Sequence, residues 1–262
     1  GRDVAQAHQS AREIFQQADD VLRFELSALC FDGPEDALND TINTQPALYA
    51  CSIAILRALQ AVQPESTPLM VAGHSLGEIT ALAAAGALTF DDGLRLVRER
   101  GRLMKEADAQ QSGGMAAILG LDADVVRKLC TDAQELTGRP VVVANDNCPG
   151  QIVISGDDSA LEAAMQSLQA QGARKVVRLP ISIAAHSPLM EPASYAFADA
   201  LSKTPFSAPQ VPVYANATAS PVHTVDEIRQ LLGKQLMQPV RWTESVQAMI
   251  AAGVTRFVEI GP

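Results

Sequence analysis

The sequence has no arrangement of cysteine and histidine of the kind that holds a metal ion. Its four cysteines, Cys30, Cys51, Cys130 and Cys148, are far apart, and none forms a C-x-x-C pair. The four histidines are equally scattered. Because a zinc site needs clustered Cys and His ligands, we expect no metal site. Four cysteines so widely separated are most consistent with free thiols in a reducing, cytoplasmic compartment.

The sequence also lacks an excess of positive charge and a long apolar run. Its 20 Lys and Arg are outnumbered by 30 Asp and Glu, for a net charge of −10. Nucleic-acid binding needs a basic surface, so we expect no nucleic-acid partner. No apolar run approaches the roughly 20 residues that cross a bilayer, and the first residues have no signal-peptide pattern, so we expect no membrane partner.

What the sequence does contain is Gly73-His74-Ser75-Leu76-Gly77, a G-x-S-x-G pentapeptide. The apolar residues 69–72 before it predict a buried strand, and residues 79–87 after it predict a helix. A serine on a sharp strand-to-helix turn presents its hydroxyl near unpaired N–H groups of the helix N-terminus, which can stabilise an oxyanion. This context favours Ser75 as a nucleophile, with both glycines leaving room for the turn to pack closely.

The same residues also fit a simpler hypothesis. Ser75-x-x-Glu78 has the spacing of a capping box, in which the serine begins the helix and the glutamate closes a reciprocal hydrogen bond. The glycines and the preceding strand favour the nucleophile, because an ordinary cap needs neither. The two roles are compatible if Glu78 caps the helix while Ser75 reacts.

A serine nucleophile needs a base, most often a histidine. His74 adjoins Ser75, but neighbouring residues on a tight turn point in different directions. His8 and His223 lie in polar surroundings that are typical of solvated side chains. His186 follows an apolar run and precedes a predicted helix, and its place well after the serine suits the order of hydrolase-like folds. His186 is therefore the predicted base.

The residues alone do not select a third member of a catalytic triad. Asp157, Asp158 and Glu162 lie between the serine and the histidine, but they open a predicted helix, where acids are typical caps. A backbone carbonyl could orient the imidazole instead.

One arginine stands apart within the basic run 95–102. Arg95, Arg98 and Arg102 share one helix face at three- and four-residue spacing, which is typical of a solvated face. Arg100 falls on the opposite, apolar side. An arginine that faces inward must find an anion, and its planar fork suits a carboxylate. Arg100 is therefore a candidate carboxylate-binding residue.

The order of predicted elements indicates a small domain inserted into a larger one. Residues 113–183 follow the βαββαβ order of a ferredoxin-like domain. Residues 1–112 and 184–262 predict an α/β-hydrolase-like domain with a mainly parallel sheet covered on both faces. In that larger domain, the other predicted helices span residues 4–22, 46–62, 91–104, 187–201, 225–236 and 242–252, and the other predicted strands span 211–215 and 256–260.

Further segments accompany the pentapeptide in a definite order. They are Thr44-Gln45-Pro46-Ala47-Leu48, Gly73 to Glu78, Arg100-Gly101 with Met104, Gly114-Met115-Ala116-Ala117-Ile118, Ala144 to Gln151, Ser155-Gly156, Ala185-His186-Ser187-Pro188-Leu189-Met190, Gln238-Pro239-Val240-Arg241-Trp242 and Glu259-Ile260-Gly261-Pro262. A lone G-x-S-x-G is weak evidence. This series covers essentially the whole chain and resembles the malonyl-CoA:acyl carrier protein transacylase family of fatty acid and polyketide synthesis.

The resemblance implies a ping-pong transfer with malonyl-CoA and phosphopantetheinylated acyl carrier protein as substrates. Ser75 would carry the malonyl group, His186 would be its base, and Arg100 would pair with the free carboxylate of malonyl. No bound cofactor and no metal would be needed.

The resemblance also implies roles for residues that the pattern alone does not single out. Leu76 would donate one oxyanion N–H, the backbone carbonyl of Gln238 would orient His186, and Asn145 would belong to the inserted domain beside the cleft. A second oxyanion donor in the family is a glutamine of a G-Q-G-S-Q loop, a motif that this sequence does not contain. Gln9 and Gln16, on a predicted helix, are not assumed to replace it.

Two alternatives remain open. A serine hydrolase, such as a thioesterase or esterase, would use the same serine and histidine but would not need Arg100. A non-catalytic docking domain of a synthase is the second, and the joint presence of Ser75, Arg100 and His186 argues against it. In the segment Ile183-Ala184-Ala185 before His186, the two small alanines leave room for methylmalonyl as well as malonyl. An acidic carrier protein would need a basic patch, either Arg174, Lys175 and Arg178 or the solvated face of the 95–102 helix.

Overall fold

The computed structural model describes residues 1–65 and 67–262, which form an α/β fold with two mixed sheets. The helices are α1 (Arg2–Ala7), α2 (Gln9–Leu22), α3 (Leu26–Asp32), α4 (Glu35–Asn39), α5 (Thr41–Val62), α6 (Gly77–Ala84), α7 (Phe90–Asp108), α8 (Ala123–Thr137), α9 (Asp158–Ala170), α10 (Glu191–Lys203), α11 (Val225–Gln235) and α12 (Trp242–Ala251), with a 3₁₀ turn at Pro188–Met190. The strands are β1 (Val71–Ala72), β2 (Gly113–Leu119), β3 (Val141–Cys148), β4 (Gln151–Asp157), β5 (Lys175–Arg178), β6 (Val213–Ala215), β7 (Ser220–Val222) and β8 (Val240–Arg241).

The Ser75 turn follows β1, which belongs to a sheet of order β1-β6-β7. β1 pairs in parallel with β6, with Val71 opposite Val213, whereas β6 pairs antiparallel with β7. The prediction of a mainly parallel sheet is therefore wrong for the described strands. β7 follows β6 after a short turn, and so short a connection permits only antiparallel pairing.

The second sheet has the order β5-β2-β4-β3-β8. The predicted βαββαβ order is present from β2 to β5, and helices α8 and α9 cover one face over their own apolar core, which includes Ile118, Ile154 and Leu161. β8, which lies outside residues 113–183, pairs in parallel with β3. This pairing ties the strand that follows Gln238 to the second sheet.

The apolar core around the first sheet is larger and is built mainly by helices. Buried side chains of α2, α5, α6, α7, α10 and α11 meet there, among them Phe15, Tyr49, Leu94 and Phe197. Within the described ranges, no helix combines the length and the apolar composition that crossing a membrane requires.

The first predicted helix is interrupted at one residue. His8 has an extended backbone (φ −127°, ψ 122°) and separates α1 from α2, whereas the apolar pattern predicted one helix over residues 4–22. The apolar pattern is nearly continuous across the break, so the pattern did not reveal it.

The second predicted helix begins earlier than its proline suggested. The side chain of Asp40 caps α5 by accepting from the N–H of Ile42, so the helix starts at Thr41 and Pro46 lies inside it rather than in its first turn. The prediction was wrong because Pro46 was taken as the start signal when the capping side chain of Asp40 was the stronger one.

The predicted strand at residues 256–260 is absent, and these residues have no regular secondary structure. Their backbone is paired with neither described sheet, and most of their side chains are exposed. A strand is stabilised by its neighbours, so an apolar run without a pairing partner does not form one.

Candidate active site

Ser75 lies on a tight turn between β1 and α6 with a left-handed backbone (φ 52°). A Cβ atom on Gly73 would lie 1.8 Å from the carbonyl oxygen of Gly77, so only glycine fits at this position. A Cβ on Gly77 would meet no atom within 4 Å. Close packing therefore requires the first glycine of the motif and not the second, which corrects the expectation for Gly77.

Asn216 holds this turn from the neighbouring strand. It follows β6 directly and is 1% exposed. Its Oδ1 accepts from the N–H of Ser75 at 2.6 Å, and its Nδ2 donates to the carbonyl of Gly73 at 2.8 Å. Since β1 and β6 are parallel neighbours, their carboxyl ends place Asn216 beside Ser75. Sequence reasoning missed Asn216, although a polar residue directly after a buried strand was a usable signal.

We expect the substitution Asn216→Ala to lower the free energy of unfolding by about 1–3 kcal/mol, because it removes two hydrogen bonds to partly buried backbone groups. Urea unfolding followed by circular dichroism measures the change. Asn39→Ala, at an exposed position of α4, is the matched control and should stay within about 0.5 kcal/mol. Equal unfolding midpoints for the two variants would contradict the conclusion that Asn216 stabilises the Ser75 turn.

His186 reaches Ser75 from a loop that precedes the 3₁₀ turn. Its Nε2 lies 2.8 Å from Ser75 Oγ. The loop is fixed by Ser187, whose hydroxyl donates to the carbonyl of Ala184 and accepts from the N–H of Leu189. His186, like Ser75, has a positive φ (57°), a strained conformation for a residue with a side chain. The structure brings the predicted nucleophile and the predicted base together.

Two backbone carbonyls orient the imidazole. His186 Nδ1 lies 2.9 Å from the carbonyl oxygen of Gln235 and 3.0 Å from that of Gln238. Both oxygens can only accept, so Nδ1 carries the proton and Nε2 presents its lone pair to the hydroxyl of Ser75. Gln238 was an expectation of the resemblance, whereas Gln235 was missed. Asp157, Asp158 and Glu162 form no hydrogen bond with His186 and lie at or near the start of α9.

Burial and, after it, the positive charge of Arg100 together lower the pKa of His186 to about 4, against the two carbonyl hydrogen bonds. The imidazole is therefore neutral at pH 7. A neutral imidazole that accepts a serine proton has the form a general base needs.

Arg100 points from α7 into the site and is 2% exposed. Its Nη2 donates to Ser75 Oγ at 3.1 Å, its Nη1 to Gln45 Oε1 at 2.9 Å, and its Nε and Nη2 to Gln235 Oε1 at 3.2 and 3.0 Å. All of these partners are uncharged. Burial lowers the pKa of Arg100 to about 10, so the guanidinium keeps its charge at neutral pH. The site thus holds a buried cation without a direct ion pair among the described residues.

Glu78 does not cap helix α6. No described side chain caps the N-terminus of that helix, and Ser75 Oγ contacts His186 and Arg100 instead. Glu78 is buried, and its Oε2 accepts from Gln235 Nε2 at 2.7 Å. The capping-box hypothesis is therefore wrong, because the positive φ of Ser75 turns its hydroxyl away from the helix end.

The other two predicted site residues, Leu76 and Asn145, form no hydrogen bond with the side chains of Ser75, His186 or Arg100 in the described structure. The N–H of Leu76, the residue after Ser75, donates to no acceptor within the described part of the chain, so it is free to bind an oxyanion. Asn145 lies on β3 with its backbone in register with Val240, and its side chain makes no hydrogen bond to the described site residues. The side chain that reaches the turn from β3 is Asn147, whose Oδ1 lies 2.8 Å from His74 Nε2.

The other three histidines form no hydrogen bond with Ser75 Oγ in the described part of the chain. The ring of His74 contacts Asn147 and packs edge-on against Trp242, 5.6 Å between ring centroids. His8 separates α1 from α2, and His223 precedes α11. Across residues 1–65 and 67–262, no three His, Cys, Asp or Glu side chains are grouped as metal ligands.

Known proteins are similar to this chain in sequence and in fold. The acyl transferase domain family matches residues 1–262. The malonyl CoA-acyl carrier protein transacylase of Escherichia coli strain K12 is 43% identical over 260 residues, 99% of this chain and 83% of the relative. That of Bacillus subtilis strain 168 is 42% identical over 262 residues, 100% of this chain and 82% of the relative. A malonyl transacylase solved in complex with its type II PKS acyl carrier protein superposes with a TM-score of 0.96 at 41% identity, covering 100% of this chain and 84% of that chain.

Proposed function

The chain belongs to the acyl transferase domain family, among the malonyl-CoA:acyl carrier protein transacylases, and from this premise we propose how its residues move the malonyl group. It is an acyltransferase that transfers malonyl from malonyl-CoA to acyl carrier protein in fatty acid or polyketide synthesis. The roles of Ser75, His186 and Arg100 are the proposal, and the contact of Ser75 Oγ with both other side chains is the observation that carries it.

In the first half-reaction, Ser75 attacks the thioester carbonyl of malonyl-CoA. His186 Nε2 accepts the hydroxyl proton as the new C–O bond forms, and the N–H of Leu76 donates to the oxyanion. The two carbonyls at Nδ1 stabilise the imidazolium. The C–S bond then breaks, His186 returns the proton to the sulfur, and coenzyme A leaves malonyl on Ser75.

The second half-reaction runs the same steps with another thiol. The phosphopantetheine thiol of the carrier protein gives its proton to His186 and attacks the malonyl ester. Malonyl moves to the sulfur, and His186 reprotonates Ser75. These steps need no bound cofactor.

Arg100 supplies the selection for malonyl. Its charge has no direct ion-pair partner among the residues that the structure describes, so a substrate carboxylate gains a charge-assisted, bidentate contact that acetyl cannot make. The carboxylate also offsets the charge that lowers the pKa of His186, which makes the base stronger when malonyl is bound.

We expect Arg100→Ala to lower kcat/KM for malonyl-CoA about 100-fold and to leave acetyl-CoA less affected, since only malonyl loses a charge-assisted contact. Intact-mass measurement after brief exposure to malonyl-, acetyl- and methylmalonyl-CoA gives the adducts and their rates. Arg95→Ala is the matched control, because Arg95 lies on the same helix, its side chain is 57% exposed, and its ion pairs with described residues are those with Asp91 and Asp92. An unchanged malonyl preference in Arg100→Ala would overturn its role.

We also propose the finer architecture as an α/β-hydrolase-like domain of residues 1–112 and 184–262 with a ferredoxin-like insertion of residues 113–183. The two separate apolar cores and the βαββαβ order from β2 to β5 support this division. The pairing of β8 with β3 supports an insertion that is joined to the larger domain through a shared sheet.

A cytoplasmic location remains a prediction from the composition.

Of the two basic patches, the one formed by Arg174, Lys175 and Arg178, at and just before β5, is better suited to an acidic carrier protein. On α7, Arg95 and Arg102 each pair with acids, and the guanidinium of Arg98 lies 4.6 Å above the ring of Phe24. Arg174 and Lys175 are exposed and form no ion pair with a described residue, although Arg178 pairs with Asp158. Their charge therefore stays available for an acidic partner.

A further inference from the structure

Glu78 is a buried carboxylate that neither half-reaction uses. It lies in the first turn of α6, behind the Ser75 turn, and is 4% exposed. It accepts from Gln235 Nε2 at 2.7 Å and from the main-chain N–H of Asn216. Burying a carboxylate is costly unless it is hydrogen-bonded. Glu78 thus contacts Gln235 and Asn216, the two residues that hold the Ser75 turn and Arg100, and this position indicates that it has a role in the site.

The amide of Gln235 connects Glu78 to Arg100. Gln235 Nε2 donates to Glu78 and also to the carbonyl of Ser75 at 2.9 Å, while Oε1 accepts twice from Arg100. Both N–H groups and the oxygen of the amide are thus in use. If the amide turned over, its oxygen would face the Glu78 carboxylate and its N–H groups would face the guanidinium. Glu78 therefore specifies which end of the amide meets Arg100.

We propose that Glu78 is a positioning residue for substrate selection, which acts by fixing the amide of Gln235 and, through it, the guanidinium of Arg100. This inference rests on the proposed function, in which Arg100 binds the malonyl carboxylate. Arg100 Nη2 is 3.1 Å from Ser75 Oγ, so a shift of the guanidinium changes its distance from the reacting serine. Acetyl has no carboxylate and does not depend on this placement. Loss of Glu78 therefore affects malonyl more than acetyl.

The ionised carboxylate is the form that this geometry requires. Both donors to Glu78 are N–H groups, and a carboxylate can accept from each with a separate oxygen. Burial raises the pKa of Glu78 to about 7, against the hydrogen bonds from Gln235 and Asn216 and the charge of Arg100. An amide at the same place has only one acceptor oxygen. Glu78→Gln thus keeps the shape of the side chain and removes one acceptor.

The test is a double-mutant cycle on the ratio of kcat/KM for malonyl-CoA to kcat/KM for acetyl-CoA. We expect Glu78→Gln to lower this ratio about tenfold, the effect of one hydrogen bond to a charged group. Gln235→Ala, which keeps the backbone carbonyl that binds His186, should lower it at least as much. The double variant should match Gln235→Ala within about twofold, because Glu78 acts through Gln235.

The control is Glu227→Gln, which removes an acceptor from a glutamate that caps α11, the helix that ends at Gln235. It should leave the ratio unchanged. Equal losses for both substrates in Glu78→Gln, or multiplying effects in the double variant, would overturn the inference. If Glu78→Gln does not fold, Glu78→Asp takes its place in the cycle with the same expectation. Failure of the proposed function is distinct, since it appears as an unchanged ratio in Arg100→Ala.

Discussion

Replacing Ser75 with alanine should reduce malonyl transfer by about 10⁴- to 10⁶-fold, the largest effect that we expect from any single substitution. Ser75 Oγ is the only reacting atom that the protein contributes to the proposed covalent intermediate. Without it, neither half-reaction can form its ester. The free N–H of Leu76 and the charge of Arg100 remain in place, so substrate binding should survive.

Intact mass is the direct measurement for this variant. Malonyl-CoA should add one malonyl group to the wild-type chain and none to Ser75→Ala. Ser202→Ala, at an exposed position of α10, is the matched control and should be acylated normally. A malonyl adduct that persists in Ser75→Ala would place the nucleophile elsewhere.

The same measurement separates transfer from hydrolysis. A transferase holds its malonyl-serine ester until the carrier protein thiol arrives, whereas a thioesterase or esterase releases malonate to water. The adduct should therefore be stable without carrier protein and should disappear when the phosphopantetheinylated carrier is added. Rapid release of malonate without the carrier would favour the hydrolase alternative.

Replacing His186 with alanine should slow acylation of Ser75 by about 10³- to 10⁴-fold, the range of a lost general base. The other described hydrogen-bond partner of Ser75 Oγ, Arg100, only donates, so among the described residues the variant has no partner that takes the hydroxyl proton. It also leaves the carbonyls of Gln235 and Gln238 without their shared donor. A single-turnover experiment, in which enzyme and malonyl-CoA are mixed rapidly and acylation is monitored over time, measures this rate.

Two controls are needed to interpret the His186→Ala result. His223→Ala changes a histidine at the exposed start of α11 and should acylate at the wild-type rate. Circular dichroism should show that His186→Ala is folded. An acylation rate within tenfold of wild type in the folded variant would exclude His186 as the base.

The backbone strain at Ser75 and His186, the two proposed catalytic residues, is supported by neighbouring side chains. Ser75 and His186 both have positive φ values, 52° and 57°, which cost free energy in residues with side chains. Asn216 holds the first on both sides of its turn, and Ser187 caps the loop of the second. The pair is therefore held in place before substrate arrives, which favours catalysis by preorganisation.

Local sequence patterns predicted the parts of the site that depend on short-range geometry. Gly73 and Ser75 define a turn whose shape is set by the residues within it, and the position of Arg100 opposite a solvated stripe indicated a buried side chain. The β2-to-β5 order followed from alternating apolar patterns. Where pairing partners decide the outcome, the same patterns were misleading, as in the predicted strand at residues 256–260.

The sequence by itself determined the turn that carries the candidate nucleophile, the candidate base and the inward-facing arginine, because each follows from neighbouring residues or from one helix face. Only the tertiary structure decided what holds them. Gln235 and Asn216 reach Ser75 across separations of 160 and 141 residues. No local pattern encodes such contacts, since they arise from parallel strand ends and from a helix that ends at the site. Glu78 gives the clearest contrast: its spacing predicted a cap, and burial beside Gln235 gave it a different set of partners.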